Sequence, residues 1–243
     1  MPHSRVRKGL RLLTQPSFIA AAIRYKVAAA VEHLDAIRIC EPNTLIDAGA
    51  NKGQFSLAFR SVRPSSTIFA FEPLPDAAGI YEQLFAGDEA VIVARTALAD
   101  AAGTAEFHVA DRQDSSSLLS PGTGQELAFG VRTATVMQVP VRRLDECIDL
   151  DQLTSPIFLK VDVQGAELAV FEGCDNLHLI DFIYVELSFV ELYEGQPLFY
   201  EVIDYLADRG FRVRGIFNQV VTHEFGPTQV DVLFDRTTKT GRS

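Results

Sequence analysis

The sequence predicts an α/β protein with a doubly wound, mostly parallel sheet and an antiparallel last strand. The first observation behind this prediction is that short apolar runs alternate with amphipathic helical patterns from residue 43 onward, as in βαβ units. The second is the connection "NQVVTHEFGPTQ" between the last two apolar runs. This connection is too short for a crossover helix, so the two strands that it joins should pair antiparallel.

The individual elements follow from hydrophobic periodicity and from the turn residues between them. Strands are predicted at residues 44–46, 67–71, 91–94, 156–161, 182–186, 211–217 and 230–234. Helices are predicted at residues 53–62, 76–85, 166–172 and 198–209.

The segment at about residues 100–140 breaks this alternation. It holds the alternating run "GTAEFHVA", a Ser/Gly-rich stretch and then "ATVMQVPV", which predict extra strands and a loop inserted near the ligand side of the sheet. We therefore predict two parts. Residues 1–42 form a basic N-terminal helical extension, and residues 43–243 form the main domain, which carries the insertion.

The composition limits the kind of protein that this chain can be and the partners that it can bind. The chain has 243 residues, 47% of them hydrophobic and 22% charged, as expected for one large soluble domain with a short extension. Residues 1–40 carry seven Lys or Arg against two acids, whereas the remaining 203 residues carry fifteen basic and thirty acidic groups. An acidic body argues against a nucleic-acid partner. The basic N-terminal segment is either a solvated helix face or a contact for an anionic membrane surface.

The cellular location is inferred from apolar runs and cysteines. No apolar run approaches the roughly 18 residues of a membrane span, and no secretory signal pattern is present. Cys40, Cys147 and Cys174 are odd in number and too widely separated for a disulfide framework or a metal knuckle. We therefore expect a cytoplasmic protein, with the inner face of the membrane as the alternative location.

The loop after the first strand, "DAGANKG", points to a ligand. In open α/β sheets, ligands bind beyond the carboxyl ends of the strands, beside the first strand. A dinucleotide fingerprint requires glycine where Asn51 stands, and a P-loop requires Ser or Thr where Gly53 follows the lysine. These departures argue against a dinucleotide and against a nucleoside triphosphate.

What remains is a turn suited to a nucleoside without phosphates that carries an amino-acid tail. Asp47 could accept from an ammonium group, Gly49 allows a ligand against the backbone, and the helix N-terminus near Gly53 presents N–H groups to a carboxylate. Glu72 ends the second strand, roughly 20 residues further on, where an acid accepts both ribose hydroxyls. We interpret the combination as a site for S-adenosylmethionine. A helix-capping Asp47 and an exposed Glu72 are the alternative interpretations.

Six stretches in this chain occur together in a known order. They are "LIDAGANKGQFS", "FAFEP", "DSSSL", "VRRLDE", "FLKVDVQGAELAVFEG" and "IYVEL", and over about residues 43–217 the chain resembles the FkbM family of S-adenosylmethionine-dependent methyltransferases. The resemblance implies a class I methyltransferase (Rossmann-like) fold. It also implies methylation of a sugar or polyketide hydroxyl, since several relatives of this size act on deoxyhexoses of glycolipids. The commoner family wording is Asp-x-Glu-Gly-x-Glu, so Gln164 leaves a carboxylate role at that position unsupported.

The predicted cofactor site combines the loop residues with positions that the resemblance supplies. Ala97 and Leu98 are expected around adenine, and Ser116 and Ser117 near the cofactor or a sugar. An ordinary polar turn and apolar filler are the alternatives for these four. The full predicted set is Asp47, Gly49, Ala50, Asn51, Gly53, Glu72, Pro73, Ala97, Leu98, Ser116, Ser117 and Asp162.

Methyl transfer to a hydroxyl requires alignment and a general base that takes the hydroxyl proton. Asp162 is our first choice, with Glu186 and Glu167 in support, because all three follow strand ends. The alternatives are a helix first-turn acid for Glu167 and an acid paired with Lys160 for Glu186. His108 and His223 are further candidate bases. Asp162 with Glu186 could also bind Mg²⁺ through oxygens, although nothing in the sequence supports a metal.

The leading hypothesis is therefore an O-methyltransferase that uses S-adenosylmethionine on a sugar hydroxyl, with a deoxyhexose of a glycolipid or related secondary metabolite as acceptor. The N-terminal helices would then cap the site or hold the enzyme near lipid-linked acceptors. The alternatives are methylation of a polyketide or other small-molecule hydroxyl, and a non-catalytic nucleoside-binding module.

Overall fold

The computed structural model describes residues 15–237, which contain the predicted sheet. The ten strands in this part of the chain are β1 (Thr44–Ala48), β2 (Thr67–Phe71), β3 (Val91–Ala94), β4 (Ala97–Leu98), β5 (Gly103–Ala110), β6 (Thr133–Arg142), β7 (Ile157–Val161), β8 (Phe182–Ser188), β9 (Phe211–Thr222) and β10 (Gly226–Arg236). Seven of them form the main sheet in the order β3-β2-β1-β7-β8-β10-β9. In this sheet the five adjacent strands β3, β2, β1, β7 and β8 are parallel to one another. β10 is antiparallel to both β8 and β9. The prediction of an antiparallel last pair is confirmed.

The helices also agree with the sequence pattern. Across residues 15–237 they are α1 (Pro16–Tyr25), α2 (Leu34–Cys40), α3 (Gln54–Val62), α4 (Pro75–Leu84), α5 (Thr123–Phe129), α6 (Leu144–Cys147), α7 (Glu167–Glu172) and α8 (Phe199–Asp208). The four predicted helices are α3, α4, α7 and α8, and their ends lie within one residue of the prediction. Prolines at the first position of α1 and α4 suit a helix start, because the first N–H has no intrahelical partner.

Helices cover both faces of the main sheet. On one face, Ile37 of α2 and Phe55 of α3 pack with Phe158 of β7 and Tyr184 of β8. The opposite face packs against α7 and α8 in the largest buried cluster. All five residues of β7 are buried, as expected for a central parallel strand. The loops at the carboxyl ends of the strands are therefore held by a rigid sheet.

The N-terminal segment shares a core with the main sheet's helices. Phe18, Val31 and Leu34 pack with Leu57 and Ala58 of α3 in one buried cluster. The assignment of residues 1–42 to a separate part stays a prediction, and residues 1–14 lie outside the described residues. Within residues 15–237, no helix combines the length and the apolar character that crossing a bilayer requires.

The insertion forms a second, three-stranded sheet in the order β4-β6-β5. β4 pairs parallel with β6, and β5 pairs antiparallel with β6. The hydroxyl of Ser117, in the loop after β5, donates to the carbonyl oxygen of Gln164 at 2.7 Å. This bond holds the insertion against the carboxyl end of β7.

Candidate active site

A cavity of about 440 Å³ opens at the carboxyl ends of β1, β2 and β7. This volume is typical of small-molecule sites. The walls come from the loop after β1, the end of β2, β4, the insertion, the loop after β7 and the N-terminal segment around residues 28–33. The predicted site residues on these walls are Gly49, Ala50, Asn51, Glu72, Pro73, Ala97, Leu98, Ser116 and Asp162.

Gly49 directly follows β1 and lies against Asp162, the residue that directly follows β7. Its φ is +74°, and a Cβ at this position would lie 1.9 Å from the carbonyl oxygen of Asp162. We expected glycine here to admit a ligand, but the structure shows that the nearest obstacle is the backbone of the neighbouring strand. Glycine is therefore needed at position 49 so that the two strand ends can lie together. Gly49 and Asp162 then form adjacent parts of the cavity wall.

Gly53 does not line the cavity. Its φ is +90°, and a Cβ there would lie 3.0 Å from Phe85 and 3.1 Å from Tyr81. The structure thus corrects the expectation of a ligand contact at Gly53, because this glycine lets α3 start close to α4. The first residues of α3, Gln54 and Phe55, face the cavity instead.

Glu72 lies on the cavity wall and is held by two backbone groups. Its Oε1 accepts from the N–H of Leu74 and its Oε2 from the N–H of Asn51, both at 2.8 Å. Burial raises the pKa of Glu72 to about 7, although both backbone N–H groups act in the opposite direction. A carboxylate has about four acceptor positions, so two remain for hydroxyl groups of a ligand. The alternative of an exposed Glu72 does not fit this burial.

Asp47 lies behind the cavity wall. It is fully buried, accepts from Ser56 Oγ at 2.6 Å and lies 3.2 Å from the Lys160 ammonium group. The expectation that Asp47 accepts from a ligand's ammonium is therefore corrected. The cation at this carboxylate is the side chain of Lys160.

Lys160 brings a positive charge to the wall. Its Nζ donates to the carbonyl of Gly49 at 2.9 Å and lies 3.7 Å from Oδ2 of Asp162. Burial lowers the pKa of Lys160, but the carboxylates of Asp47 and Asp162 outweigh that effect, so the net shift is upward. The ammonium group is therefore charged at neutral pH.

Gln164 connects Asp162 and Glu186, the two acids at the strand ends. The sequence analysis did not predict this connection. Its Nε2 donates to Oδ1 of Asp162 at 2.7 Å and to Oε2 of Glu186 at 3.2 Å. Tyr193 Oη donates to Gln164 Oε1 at 2.9 Å. The amide is suited to this place because it offers donors to the carboxylates and an acceptor to the phenol. The only signal for this role in the sequence was that glutamine stands at position 164, where the family motif more commonly has glutamate.

Glu186 does not reach the cavity, contrary to its predicted catalytic role. Its Oε2 also accepts from Nε2 of Gln229 at 2.8 Å, so its partners are two amides and not Lys160. Burial, with the nearby carboxylates of Asp162 and Asp231 in second place, raises the pKa of Glu186 well above its ordinary value. A general base must lie within hydrogen-bonding reach of the proton that it takes, and a carboxyl group off the cavity does not meet this requirement.

Two other predicted residues have structural contacts. Glu167 is buried off the cavity, and its Oε1 accepts from the N–H of Gly165 at 2.9 Å, in agreement with the first-turn alternative. Burial raises the pKa of Glu167 to about 7. Ser117 is also fully buried and off the cavity, so its hydroxyl serves the insertion. Ser116 lines the cavity, and its Oγ accepts from the N–H of Ala110 at 3.0 Å.

The histidine on the cavity wall is His33, which lies outside every motif used above. Neither His108 nor His223, the two histidines named above as candidate bases, lines the cavity. The sequence offered little signal for His33, since it lies in a segment predicted to be helical and solvated. Among residues 15–237 there is no group of three or more His, Cys, Asp or Glu that could hold a metal ion, and Mg²⁺ stays unsupported.

Comparison with known proteins identifies the family. The sequence profile described as "Methyltransferase FkbM domain" matches residues 47–213. The chain belongs to the FkbM methyltransferase family. The resemblance seen in the sequence is thereby confirmed, and so is the class I methyltransferase fold.

Two curated relatives and one solved structure are similar to this FkbM methyltransferase. The 2-O-methyltransferase NoeI of Sinorhizobium fredii is 30% identical over 213 residues, which are 83% of this chain and 88% of the relative. The hexuronic acid methyltransferase AglP of Haloferax volcanii is 29% identical over 152 residues, 60% of this chain and 56% of that protein. The crystal structure of TehB from Haemophilus influenzae matches 90% of this chain and 67% of its own, with a TM-score of 0.51 and 10% identity. This last likeness concerns the fold alone.

Proposed function

We propose that this FkbM methyltransferase uses S-adenosylmethionine to methylate a hydroxyl group of a sugar. The observation that carries the proposal is the Glu72 carboxylate, fixed by two backbone N–H groups on the wall of a 440 Å³ cavity. An acid at the end of the second strand that keeps acceptor positions open suits the two ribose hydroxyls of a nucleoside.

The remaining walls fit the other parts of the cofactor. Ala97 and Leu98 offer apolar surface for adenine, and Lys160 offers a cation for the cofactor's carboxylate. Asp162 is the carboxylate exposed at this end, with 39% of its side chain accessible, and it can accept from the cofactor's ammonium in the place expected for Asp47. Opposite charges at one end of a pocket favour a zwitterionic amino-acid tail.

The sugar acceptor is supported by the relatives. The name of one relative specifies 2-O-methylation, and the name of the other specifies a hexuronic acid. We therefore propose a sugar hydroxyl as acceptor, with deoxyhexose and hexuronic acid glycosides as the classes to be tested. The N-terminal wall of the cavity at residues 28–33 would then face the acceptor.

Calorimetric titration with S-adenosylhomocysteine, NAD and ATP tests the cofactor. We expect binding of S-adenosylhomocysteine alone, lost in Glu72→Ala and retained in Glu82→Ala, a control at an exposed glutamate. Binding of NAD without S-adenosylhomocysteine would reject the proposal. Incubation with methyl-labelled S-adenosylmethionine and either methyl fucoside or methyl glucuronoside, followed by mass analysis, tests the acceptor.

We further propose that the acceptor is lipid-linked and that the N-terminal segment touches the membrane. Arg5, Arg7, Lys8 and Arg11 lie outside the described residues, but Ile23 is 79% exposed and Arg24 and Lys26 beside it are also exposed. Apolar and basic side chains together favour an anionic interface. Flotation with phosphatidylglycerol vesicles should be reduced in Ile23→Glu, and equal flotation with neutral vesicles would contradict an electrostatic contact.

A further inference from the structure

His33 lies in the short 3₁₀ turn Val31–His33, between α1 and α2, and reaches the cavity wall. Its Nδ1 lies 3.2 Å from Oδ2 of Asp231 and 3.0 Å from the hydroxyl of Tyr184. About 20% of its side chain is accessible, compared with 10% for Asp231. The imidazole therefore has one edge against a buried carboxylate and lies where a ligand can reach it.

The carboxylate of Asp231 is positioned by the sheet. Asp231 pairs with Glu186 in the antiparallel β8–β10 ladder, and its Oδ2 accepts from Tyr184 Oη at 2.9 Å and from Asn218 Nδ2 at 2.8 Å. Burial, with Asp231 in second place, raises the pKa of Tyr184, so the phenol keeps its proton and donates it to Asp231. Three strands thus fix the acceptor that faces His33.

This arrangement selects one tautomer of His33. The Tyr184 hydroxyl donates its proton to Asp231, so its oxygen is left to accept from Nδ1 of His33 at 3.0 Å, and the Asp231 carboxylate 3.2 Å away, which only accepts, also favours a proton on Nδ1. The amide nitrogen of Asn218, 3.2 Å from Nδ1, donates to Asp231 at 2.8 Å instead. The other nitrogen, Nε2, then carries a free lone pair. Within residues 15–237, the hydrogen-bond contacts of this ring, to Tyr184 and Asn218, both involve Nδ1. A neutral imidazole held in this way by a buried carboxylate is organised to accept a proton.

We propose that His33 is the general base of methyl transfer and that Asp231 and Tyr184 are its positioning residues. The proposal rests on the function proposed above. The acceptor's hydroxyl oxygen forms a bond to the methyl carbon while the carbon–sulfur bond breaks and its electron pair stays on sulfur. The hydroxyl proton moves to Nε2 of His33. The products are a methyl ether, a neutral thioether and an imidazolium that faces the Asp231 carboxylate.

His33 fits this role better than the acids expected from the sequence. Asp162 accepts from Gln164 at 2.7 Å and lies beside the Lys160 ammonium, and the function proposed above assigns it to the cofactor's ammonium group. Glu186 lies off the cavity. Both His33 and Asp231 lie outside residues 47–213, the part matched by the family profile, so the family resemblance does not supply this pair.

Several charged and titratable groups surround His33. Glu32 is its neighbour on the same turn, Asp231 faces it from β10, and Tyr184 faces it from β8. Lys160 and Asp162 lie at the same cavity from the end of β7. The carboxylate of Asp231 lies 3.2 Å from Nδ1 and is placed to stabilise the imidazolium that forms in the reaction.

The tautomer can be measured without knowing the acceptor. The full chain labelled with ¹⁵N-histidine is studied by long-range ¹H–¹⁵N NMR at pH 8 with S-adenosylhomocysteine bound, and the His33 signals are assigned by their loss in His33→Gln. We expect a protonated Nδ1 and an unprotonated Nε2, with the preference lost in Asp231→Asn. A proton on Nε2 of His33 in the wild type would overturn the proposal.

Turnover provides the second test, with methyl fucoside and methyl glucuronoside as the acceptors. His33→Gln should lower kcat by roughly 10²–10⁴-fold while the Kd for S-adenosylhomocysteine is unchanged, and His108→Gln, off the cavity, should retain turnover. Asp231→Asn should also lower kcat while the Kd for S-adenosylhomocysteine is unchanged, because Asp231 positions the imidazole and does not touch the cofactor, and a merely structural role would weaken both.

The outcomes separate the two proposals. If the wild type binds no S-adenosylhomocysteine, the proposed function fails. If it binds the cofactor and methylates a glycoside, but His33→Gln does so at the wild-type rate, only the role of His33 is wrong. If neither glycoside is methylated, the sugar acceptor is wrong, and the tautomer measurement decides the proposal for His33.

Discussion

The ammonium group of Lys160 lies 3.2 Å from the carboxylate of Asp47, and the two residues are paired directly across β1 and β7. Neither side chain is open to bulk solvent, since their accessible fractions are 9% and 0%. The lysine also donates to the carbonyl of Gly49. One ion pair therefore joins the two strand ends and places a fixed cation on the cavity wall.

Removal of this cation should destabilise the protein. Lys160→Met leaves the buried carboxylate of Asp47 without its charge partner, and we expect a loss of about 3–5 kcal/mol in the free energy of unfolding. Urea denaturation at pH 7 measures the change. The double variant Lys160→Met/Asp47→Leu should regain part of the loss, because the unpaired charge is then removed. An unchanged urea midpoint in the single variant would contradict the buried pair.

The steric requirement for glycine between the ends of β1 and β7 can be distinguished from the cost of a left-handed backbone conformation. Gly49 and Gly195 have nearly equal φ angles, +74° and +72°, but only at Gly195 is there no atom within 4 Å of the added Cβ. Gly195→Ala should therefore cost only about 1–2 kcal/mol of left-handed strain. Gly49→Ala should cost clearly more, because its Cβ would overlap the Asp162 carbonyl. Equal urea midpoints for the two variants would contradict this explanation.

The pH dependence of stability should report the buried acid Glu167. Burial raises its pKa to about 7 from 4.5, so between these pH values the folded state keeps a proton that the unfolded chain has lost. The free energy of unfolding therefore falls as pH rises through this window. Glu167→Gln can still accept from the Gly165 N–H, and we expect it to be more stable than the wild type by about 2–4 kcal/mol at pH 8.

Urea denaturation at pH 5 and pH 8 checks this prediction. At pH 5 the two proteins should be nearly equally stable, since the carboxyl group of Glu167 is protonated in the folded wild type. Part of the pH dependence should persist in the variant, because burial raises the pKa of Glu72 to about 7 as well. A variant that is less stable than the wild type at pH 8 would show that burial does not raise the pKa of Glu167 in the folded state.

The side-chain amide of Gln164 should contribute to stability, because it donates hydrogen bonds to both Asp162 and Glu186. In Gln164→Glu the donors to Asp162 and Glu186 are replaced by a third acceptor, and we expect a loss of about 1–3 kcal/mol at pH 8. The loss should shrink at pH 5, where the carboxyl groups share protons. Gln152→Glu, the same change at an exposed position, is the control and should be nearly neutral. Thermal unfolding of both variants at each pH measures the difference.

The strands, the helices and the Glu72 position could be predicted because their signals are local. Hydrophobic periodicity and the spacing from Gly49 to Glu72 are read along the chain, and the structure agrees with them. The role of Asp47 could not be predicted, because it depends on which side chain stands opposite on β7. The same holds for Gly49, whose required neighbour is the backbone of a residue more than a hundred positions away.

The sequence by itself determined the alternating α/β pattern, the antiparallel last strand, the family and the strand ends that surround the cavity. Only the tertiary structure decided which polar groups share that cavity. His33 comes from the N-terminal segment, Lys160 from the middle and Asp231 from the last strand, and no local pattern relates them. The physical reason is that a central sheet brings distant strand ends within hydrogen-bonding distance, whereas periodicity records only which face of an element is buried.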